Sequence, residues 1–428
     1  MNWTTQHIDG IVESYRQTIL DTICRLVRIP SENIAPRGYE KRAQLFLAEL
    51  LNNYGFKIDL FTPQEVNGLT DHPAFFPGRE YHDRPNLVTR LRGKGGGPSI
   101  IFSAHVDTVT AGNSPWKWDT PFSGKLHEGR IYGRGAFDMK GGLVAALFAV
   151  AIIKDQELSL RGDVLFESVV DEENGGSNGT LASRVRGYNA DVAIIPEPTL
   201  FTVCPAARGG RYYRISVGGS GGTGFADEIL DNPIYGMADL VQGVAAFDRH
   251  ITKQRPSDPL FASHPRPRDV ILDKIQAGDL DPGGNIGIPS EGWFSVYITT
   301  LPGCDEGDLD REFTDFLRNH LESSSSSPVF TPRFSHLTRY LYPFRSDPAH
   351  PVVDFMCQGV KTFVSLPGVL EGARFACDGF IFKKYFDTET YVLGPRGGNA
   401  HTVNEYVEAD DVVSLTKVFL WTALNWCG

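Results

Sequence analysis

The feature that most constrains the fold is a regular alternation of strand candidates with apolar helix candidates. The most apolar helix candidate covers residues 140–154, and the strand candidates around it cover residues 86–91, 99–102, 163–170 and 191–195. Strands that alternate with helices are typical of a mainly parallel sheet with helices on both faces. The sequence therefore predicts a three-layer α/β/α unit.

The pattern changes at Arg208, where a second module begins. Its candidates at residues 212–217, 236–250, 270–274, 294–299 and 306–321 supply the first five elements of a β-α-β-β-α-β order. That order is typical of a small α+β domain of the ferredoxin-like type. Because 428 residues exceed what one hydrophobic core usually supports, we expect two domains. Residues 1–207 and 341–428 would form the catalytic domain, and residues 208–340 would form an inserted lid.

Charge and composition exclude several kinds of partner. The net charge of −11 argues against nucleic acid or an anionic membrane surface. The first residues lack a secretory pattern, and the apolar run 143–153 is shorter than the roughly 20 residues of a membrane span. Six scattered cysteines without a C-x-x-C pair fit a reduced, cytoplasmic setting. Cys377, beside Asp378, is either a site thiol or a buried packing cysteine.

The first chemical motif is Ser103-Ala-His105-Val-Asp107, at the end of an apolar strand candidate. Residues at i and i+2 share one face of a strand, and a metal-bound imidazole usually needs a carboxylate partner to fix its tautomer. The spacing therefore favours a metal-ligating His105 oriented by Asp107. A buried, hydrogen-bonded histidine is the alternative.

Other acidic and imidazole side chains also follow strand candidates or glycine-rich loops. They are Asp138, Glu172, Glu173, Glu197 and His401. Taken singly, each has a structural alternative, namely a helix cap, a solvated loop, a turn or a structural histidine. Taken together they fall at the carboxyl ends of strands, where α/β sheets form their sites. Histidine and carboxylate ligands without thiolates suit zinc, manganese or cobalt.

Five stretches occur in one order along nearly the whole chain: SAHVDTV, YGRGAFDMKGG, ESVVDEENGG, IIPEPT and GPRGGNAHTVNEYV. In these stretches the chain resembles the family of acetylornithine deacetylase, succinyl-diaminopimelate desuccinylase, aminoacylase and glutamate carboxypeptidase. These proteins are dinuclear metallohydrolases.

The resemblance implies two divalent metal ions bridged by Asp138. His105 and Glu197 would complete one site, and Glu173 and His401 the other. Glu172 would act as the general base that takes a proton from water and passes it to the leaving nitrogen. The resemblance also implies a homodimer or a higher homo-oligomer.

The inserted module departs from the family. Thr223 or a neighbouring glycine stands where the family carries a lid histidine, and Thr299 stands where it carries an arginine. Asn285 lies in an Asn-x-x-Pro pattern with one extra residue. A threonine cannot replace a bidentate arginine. Other candidates for substrate contacts are the arginines Arg208, Arg211, Arg214 and Arg396.

The sequence thus predicts an enzyme that hydrolyses a C–N bond with a metal-activated water. The altered lid favours a small, acidic, non-peptide substrate, for example an aryl amine or an unusual amide. A conventional N-acyl amino acid deacylase or carboxypeptidase is the alternative. A metal-binding protein without catalysis is disfavoured, because Glu172 is retained beside Glu173.

Overall fold

A computed structural model of the protein describes residues 3–223, 229–254, 256, 258–278, 287–323 and 330–428. The chain divides into two compact units. The first comprises Met1–Ala207, Phe344–Ala373 and Cys377–Gly428. The second comprises Arg208–Pro343 and Arg374–Ala376.

The helices and strands of the described residues are as follows. The helices are α1 Thr5–Ser14, α2 Arg16–Val27, α3 Lys41–Asn53, α4 Gly141–Asp155, α5 Asn178–Val185, α6 Pro233–Thr252, α7 Glu306–Glu322, α8 Pro351–Phe363 and α9 Ala409–Trp426. The strands are β1 Asn33–Ile34, β2 Arg37–Gly38, β3 Ile58–Phe61, β4 Asn86–Leu91, β5 Ile100–His105, β6 Lys125–His127, β7 Arg130–Tyr132, β8 Val164–Val169, β9 Val192–Ile195, β10 Val203–Ala207, β11 Gly209–Gly218, β12 Val270–Ala277, β13 Glu291–Thr300, β14 Arg333–His336, β15 Phe344–Arg345, β16 Leu370–Ala373, β17 Glu389–Val392, β18 Gly397–Gly398 and β19 Tyr406–Glu408.

The first unit is built on one sheet with the strand order β15-β10-β17-β9-β5-β8-β4-β3, and β16 also pairs with β10. Its centre is parallel, because β5 pairs in parallel with both β8 and β9, and β9 pairs in parallel with β17. Antiparallel pairs occur towards the edges, as at β3–β4 and β10–β17. Helices α1, α2, α4, α8 and α9 pack as one group, and α3 and α5 pack on β3 and β4. The predicted three-layer α/β/α class is confirmed.

Helix α4 forms the core of this unit. Every residue from Gly141 to Ile153 is buried, and the helix packs on α9 and β5. The longer segment Ala136–Asp155 is long and apolar enough to cross a membrane. The apolar run 143–153, taken alone, is shorter than a membrane span. Since 94% of the most apolar window of the longer segment is buried inside the protein, its surroundings are those of a core helix.

Two boundaries differ from the sequence prediction in ways that bear on the site. The apolar spacing of residues 10–28 is typical of one amphipathic helix, but this part of the chain forms two helices that meet at Tyr15. The strand predicted at 99–102 continues through Ala104 to His105, because all six residues of β5 are buried and paired with β8. A small sheet of order β18-β19-β7-β6 was not predicted, since its strands are only two or three residues long.

The second unit has a sheet of order β12-β13-β11-β14 whose neighbouring strands are all antiparallel. With α6 after β11 and α7 after β13, this is the β-α-β-β-α-β order of a ferredoxin-like fold. Alternate residues of β11, including Tyr213, Ile215 and Val217, pack with Phe247 and Phe313 of the two helices. The predicted inserted α+β fold is confirmed.

Candidate metal centre

Three neighbouring parallel strands deliver side chains to one edge of the central sheet. His105 is the last residue of β5, Glu172 and Glu173 follow β8, and Glu197 lies two residues beyond β9. Because β5 lies between β8 and β9 in the sheet, their carboxyl ends meet at this edge. This is where α/β sheets place their sites.

Two loops bring the remaining predicted ligands to the same place. Asp138 lies just before α4 with non-helical backbone angles, φ −116° and ψ 95°. The cap position of α4 is Lys140, without a side-chain capping bond, so Asp138 is not the helix cap that its sequence position allowed. His401 has a left-handed φ of 60° and lies between β18 and β19.

Asp138 stands between the two histidines and offers one carboxylate oxygen to each. His105 Nε2 lies 3.3 Å from Asp138 Oδ1 and 3.3 Å from Glu197 Oε1. His401 Nε2 lies 3.2 Å from Asp138 Oδ2 and 3.0 Å from Glu173 Oε2. The side chains therefore form two imidazole–carboxylate groups that share Asp138. Glu172 is farther away, with its Oε2 3.9 Å from His105 Nε2.

The electrostatics of this cluster favour bound cations. Burial, followed by the charge of Asp138, raises the pKa of Glu197 to about 8, and burial raises the pKa of Glu172 well above its ordinary value. Burial would also raise the pKa of Asp138, but hydrogen bonds with His105 and His401 lower it. Crowded, buried carboxylates need a compensating positive charge. His105 Nε2 is buried and faces carboxylate oxygens of Asp138 and Glu197, each 3.3 Å away, so the donor set fits divalent metal ions.

Asp107 holds the turn that carries the acidic pair. Its Oδ2 accepts hydrogen bonds from the backbone N–H of Glu172 at 3.0 Å and of Glu173 at 3.1 Å, and from Asn33 Nδ2 at 2.9 Å. The contact with His105 differs from the one predicted. His105 Nδ1 lies 2.9 Å from the backbone carbonyl oxygen of Asp107 and 3.7 Å from its carboxylate. The reason is that β5 ends at His105, so that Asp107 lies beyond the strand.

A buried network behind this turn involves side chains from residues 62–84, a stretch rich in Pro, Gly, His and Asp whose composition is typical of a loop. The Asp171 carboxylate accepts a hydrogen bond from the Tyr81 hydroxyl at 2.5 Å. It also lies 3.8 Å from Arg79 Nε and 3.5 Å from Arg84 Nη2. Arg79 donates a hydrogen bond to the carbonyl oxygen of Asn174 at 2.6 Å. The turn is therefore fixed at both ends, at Asp171 and at Asn174. No local pattern in residues 62–84 indicated this role.

Glu405 is a second residue whose role the sequence did not indicate. It is buried, and its carboxylate contacts the loop that bears Asp138. The only sequence signal was its position four residues after His401, within the last of the five stretches.

The arginines predicted as anion binders already have carboxylate partners. Arg396 binds Asp411 through two hydrogen bonds of 2.7 Å. Arg208 is paired with Asp269, and Arg211 lies with Glu306, Asp310 and His336. These carboxylate partners favour a structural role for the three arginines over the predicted contact with substrate. Arg214 instead lies over the Trp293 ring, 4.4 Å from its centroid.

The two threonines of the inserted unit differ in their surroundings. Thr299 is buried and accepts the backbone N–H of Asp269 at 2.6 Å, so it serves the second unit internally. Thr223 is exposed, and Asn285 lies outside the described residues. Cys377 is buried, and burial raises the pKa of its thiol well above the ordinary value. The thiol is therefore protonated, which favours the packing interpretation.

The fold and the centre together define a class of two-unit metallohydrolases. Residues 101–425 match the family described as Peptidase family M20/M25/M40. This match covers more than half of the chain, and the chain belongs to that family. It is a metal-dependent hydrolase, and the resemblance noted from the five sequence stretches is confirmed.

Similar proteins extend over nearly the whole chain. The N-formyl-4-amino-5-aminomethyl-2-methylpyrimidine deformylase of Bacillus subtilis (strain 168) is 26% identical, over 97% of this chain and 96% of its own. The succinyl-diaminopimelate desuccinylase of Rhodospirillum centenum is 26% identical, over 94% and 95%. The structure of an M20 family metallo-carboxypeptidase from Sulfolobus solfataricus matches with a TM-score of 0.68 at 18% identity, over 95% and 99%. At that identity the structural match shows the fold alone.

Proposed function

We propose that the protein hydrolyses the C–N bond of a small, non-peptide N-acyl or N-formyl amine with two divalent metal ions. The observation that carries the proposal is the position of Asp138, whose two carboxylate oxygens face His105 and His401 separately. His105 and Glu197 would hold one ion, Glu173 and His401 would hold the other, and Asp138 would bridge them. Zinc, manganese and cobalt all suit this donor set.

A metal pair in this place supplies Lewis-acid activation of water and polarisation of the bond under attack. Glu172 is the neighbour of the ligand Glu173 in the sequence. Its carboxylate lies 3.9 Å from His105 Nε2, whereas those of Asp138 and Glu197 lie 3.3 Å from that atom. Its carboxylate is therefore placed to take a proton from the attacking water and to deliver it to the leaving nitrogen. Burial raises the pKa of Glu172 above its ordinary value, which makes its carboxylate a stronger base than an ordinary glutamate.

Two observations support a non-peptide substrate. The inserted unit has Thr223 and Thr299 where the family carries histidine and arginine. The arginines that could have compensated, Arg208, Arg211 and Arg396, are paired with carboxylates. The sequence predicted an acidic substrate. The pairing of these arginines removes the reason for requiring a negative charge on the substrate. The similarity to a deformylase that acts on a substituted aminopyrimidine supports a small N-formyl amine.

A substrate panel tests this proposal. The purified protein is assayed with added zinc, manganese or cobalt on N-formylated aminopyrimidines, acylated aminobenzoates, N-acetyl and N-succinyl amino acids, and dipeptides. Glu172→Gln serves as the blank for contaminating hydrolases. Turnover of the formylated or acylated aryl amines is expected. Activity confined to N-acyl amino acids or dipeptides contradicts the expected aryl-amine substrates and favours the conventional deacylase or carboxypeptidase.

A further inference from the structure

Glu405 makes an unusual number of contacts with one short loop. Its Oε2 accepts hydrogen bonds from Arg134 Nη1 at 2.7 Å and from the Gly135 backbone N–H at 2.9 Å. Its Oε1 accepts the backbone N–H of Phe137 at 2.9 Å and of Asp138 at 3.1 Å. One buried carboxylate therefore satisfies four donors, and one of them is the main chain of Asp138 itself.

The backbone conformation of the loop explains why these donors need an acceptor from outside the loop. Gly135 has a left-handed φ of 79°, and Asp138 has non-helical angles, so the N–H groups of the loop are not aligned with α4, which begins at Gly141. A buried N–H group without an acceptor is destabilising. The conformation that turns Asp138 towards the two histidines thus depends on an acceptor supplied from elsewhere in the chain.

Glu405 also belongs to the segment that carries His401. It comes immediately before β19, which pairs with β7 so that Tyr406 lies opposite Tyr132. One residue beyond that pair, the Glu405 carbonyl oxygen accepts the Gly133 N–H at 2.9 Å. The side chain and main chain of Glu405 therefore fasten the loop of Asp138 to the segment of His401.

We infer that Glu405 is a positioning residue that fixes Asp138 relative to His401 and thereby sets the metal affinity of the centre. The inference rests on the proposed function, because it takes Asp138 as the bridging ligand. Both carboxylate oxygens of Glu405 are engaged by the loop of Asp138, so Glu405 acts through Asp138. Residues that support metal ligands in this way commonly change metal affinity by roughly 10–100-fold when they are replaced.

The test is calorimetric titration of the metal-free full chain with zinc, together with its thermal unfolding, for the wild type and Glu405→Gln. Glutamine keeps the size but turns an NH₂ group towards two of the four donors. Glu408→Gln is the matched control, since Glu408 lies three residues away and pairs with Arg130 at 3.0 Å, with both side chains partly exposed. The expected result is a zinc Kd raised roughly 10–100-fold in Glu405→Gln and unchanged in Glu408→Gln. Activity of Glu405→Gln should recover with excess zinc while KM stays the same.

A folded Glu405→Gln protein that binds zinc with the wild-type Kd overturns the positioning role, whatever its thermal stability. If this variant does not fold, Arg134→Met removes only one of the four hydrogen bonds and is titrated in its place. A raised Kd then supports the role, and an unchanged Kd overturns it. A wild-type protein that binds fewer than two zinc ions per chain overturns the proposed dinuclear centre itself, so the two failures are distinguishable.

Discussion

Replacing Asp107 by asparagine tests whether the turn of Glu172 and Glu173 is held as the structure shows. Asp107 is fully buried, and its Oδ2 accepts three hydrogen bonds of 2.9 to 3.1 Å. Bonds to a charged group contribute about 1.5–3 kcal/mol each, against about 0.5–1.5 kcal/mol for neutral pairs. Loss of the charge therefore costs about 1 kcal/mol per bond, or about 3 kcal/mol of unfolding free energy for the three bonds.

The assay is denaturant unfolding of the metal-free protein, combined with kcat/KM of the metal-loaded enzyme. Displacement of the turn should also reduce kcat/KM, on the order of 10²-fold for a shift near 1 Å. Asp191→Asn is the matched control. Its Oδ2 accepts two bonds from Ser99 at 2.7 Å, but it is exposed and precedes β9, at the opposite edge of the same sheet. An Asp107→Asn protein within 1 kcal/mol of wild type and fully active would refute the reasoning.

Four further outcomes are expected. Glu172→Gln should lower kcat by about 10²–10⁴-fold and leave metal titrations unchanged, whereas loss of metal together with activity would make Glu172 a ligand. Burial raises the pKa of Glu172 above its ordinary 4.5, and a general base must be deprotonated to act. The value of kcat/KM should therefore fall with decreasing pH while the pH is still above 4.5. A kcat/KM that stays constant down to pH 4.5 argues against Glu172 as the base. Chelation should lower the Tm, and free metal at 100 times Kd should restore about 2.7 kcal/mol per site; equal Tm values argue against metal binding to the folded state. Arg396→Ala should leave KM within about twofold, since Asp411 already binds this guanidinium, and a tenfold rise would restore Arg396 as a substrate contact.

Much of the centre could be predicted because its side chains follow regular elements. His105, Glu173 and Glu197 come at or just after the ends of β5, β8 and β9, and the alternation of strands and helices placed those ends at one edge of a parallel sheet. The structure brings these side chains together with Asp138 and His401, as the sequence suggested. The strands could be located because buried strands require runs of apolar residues, and such runs are visible in the sequence.

Other features could not be predicted because they depend on contacts between distant residues. The four bonds of Glu405 join positions about 270 residues apart, and the buried partners of Asp171 come from an irregular segment. The break between α1 and α2 at Tyr15 was hidden by a continuous apolar pattern. The pairing of Arg396 with Asp411 likewise required the fold, since a charged residue does not reveal its partner in the sequence.

The dinuclear centre is tested most directly by the number and position of metal ions in the purified protein. Elemental mass spectrometry gives the number per chain, and anomalous X-ray diffraction at the metal absorption edge gives the positions. Two ions per chain are expected, one beside His105 and Glu197, the other beside Glu173 and His401, with Asp138 between them. A single ion, no ion, or ions bound elsewhere, such as beside Glu306, Asp310 and His336, would contradict the assignment.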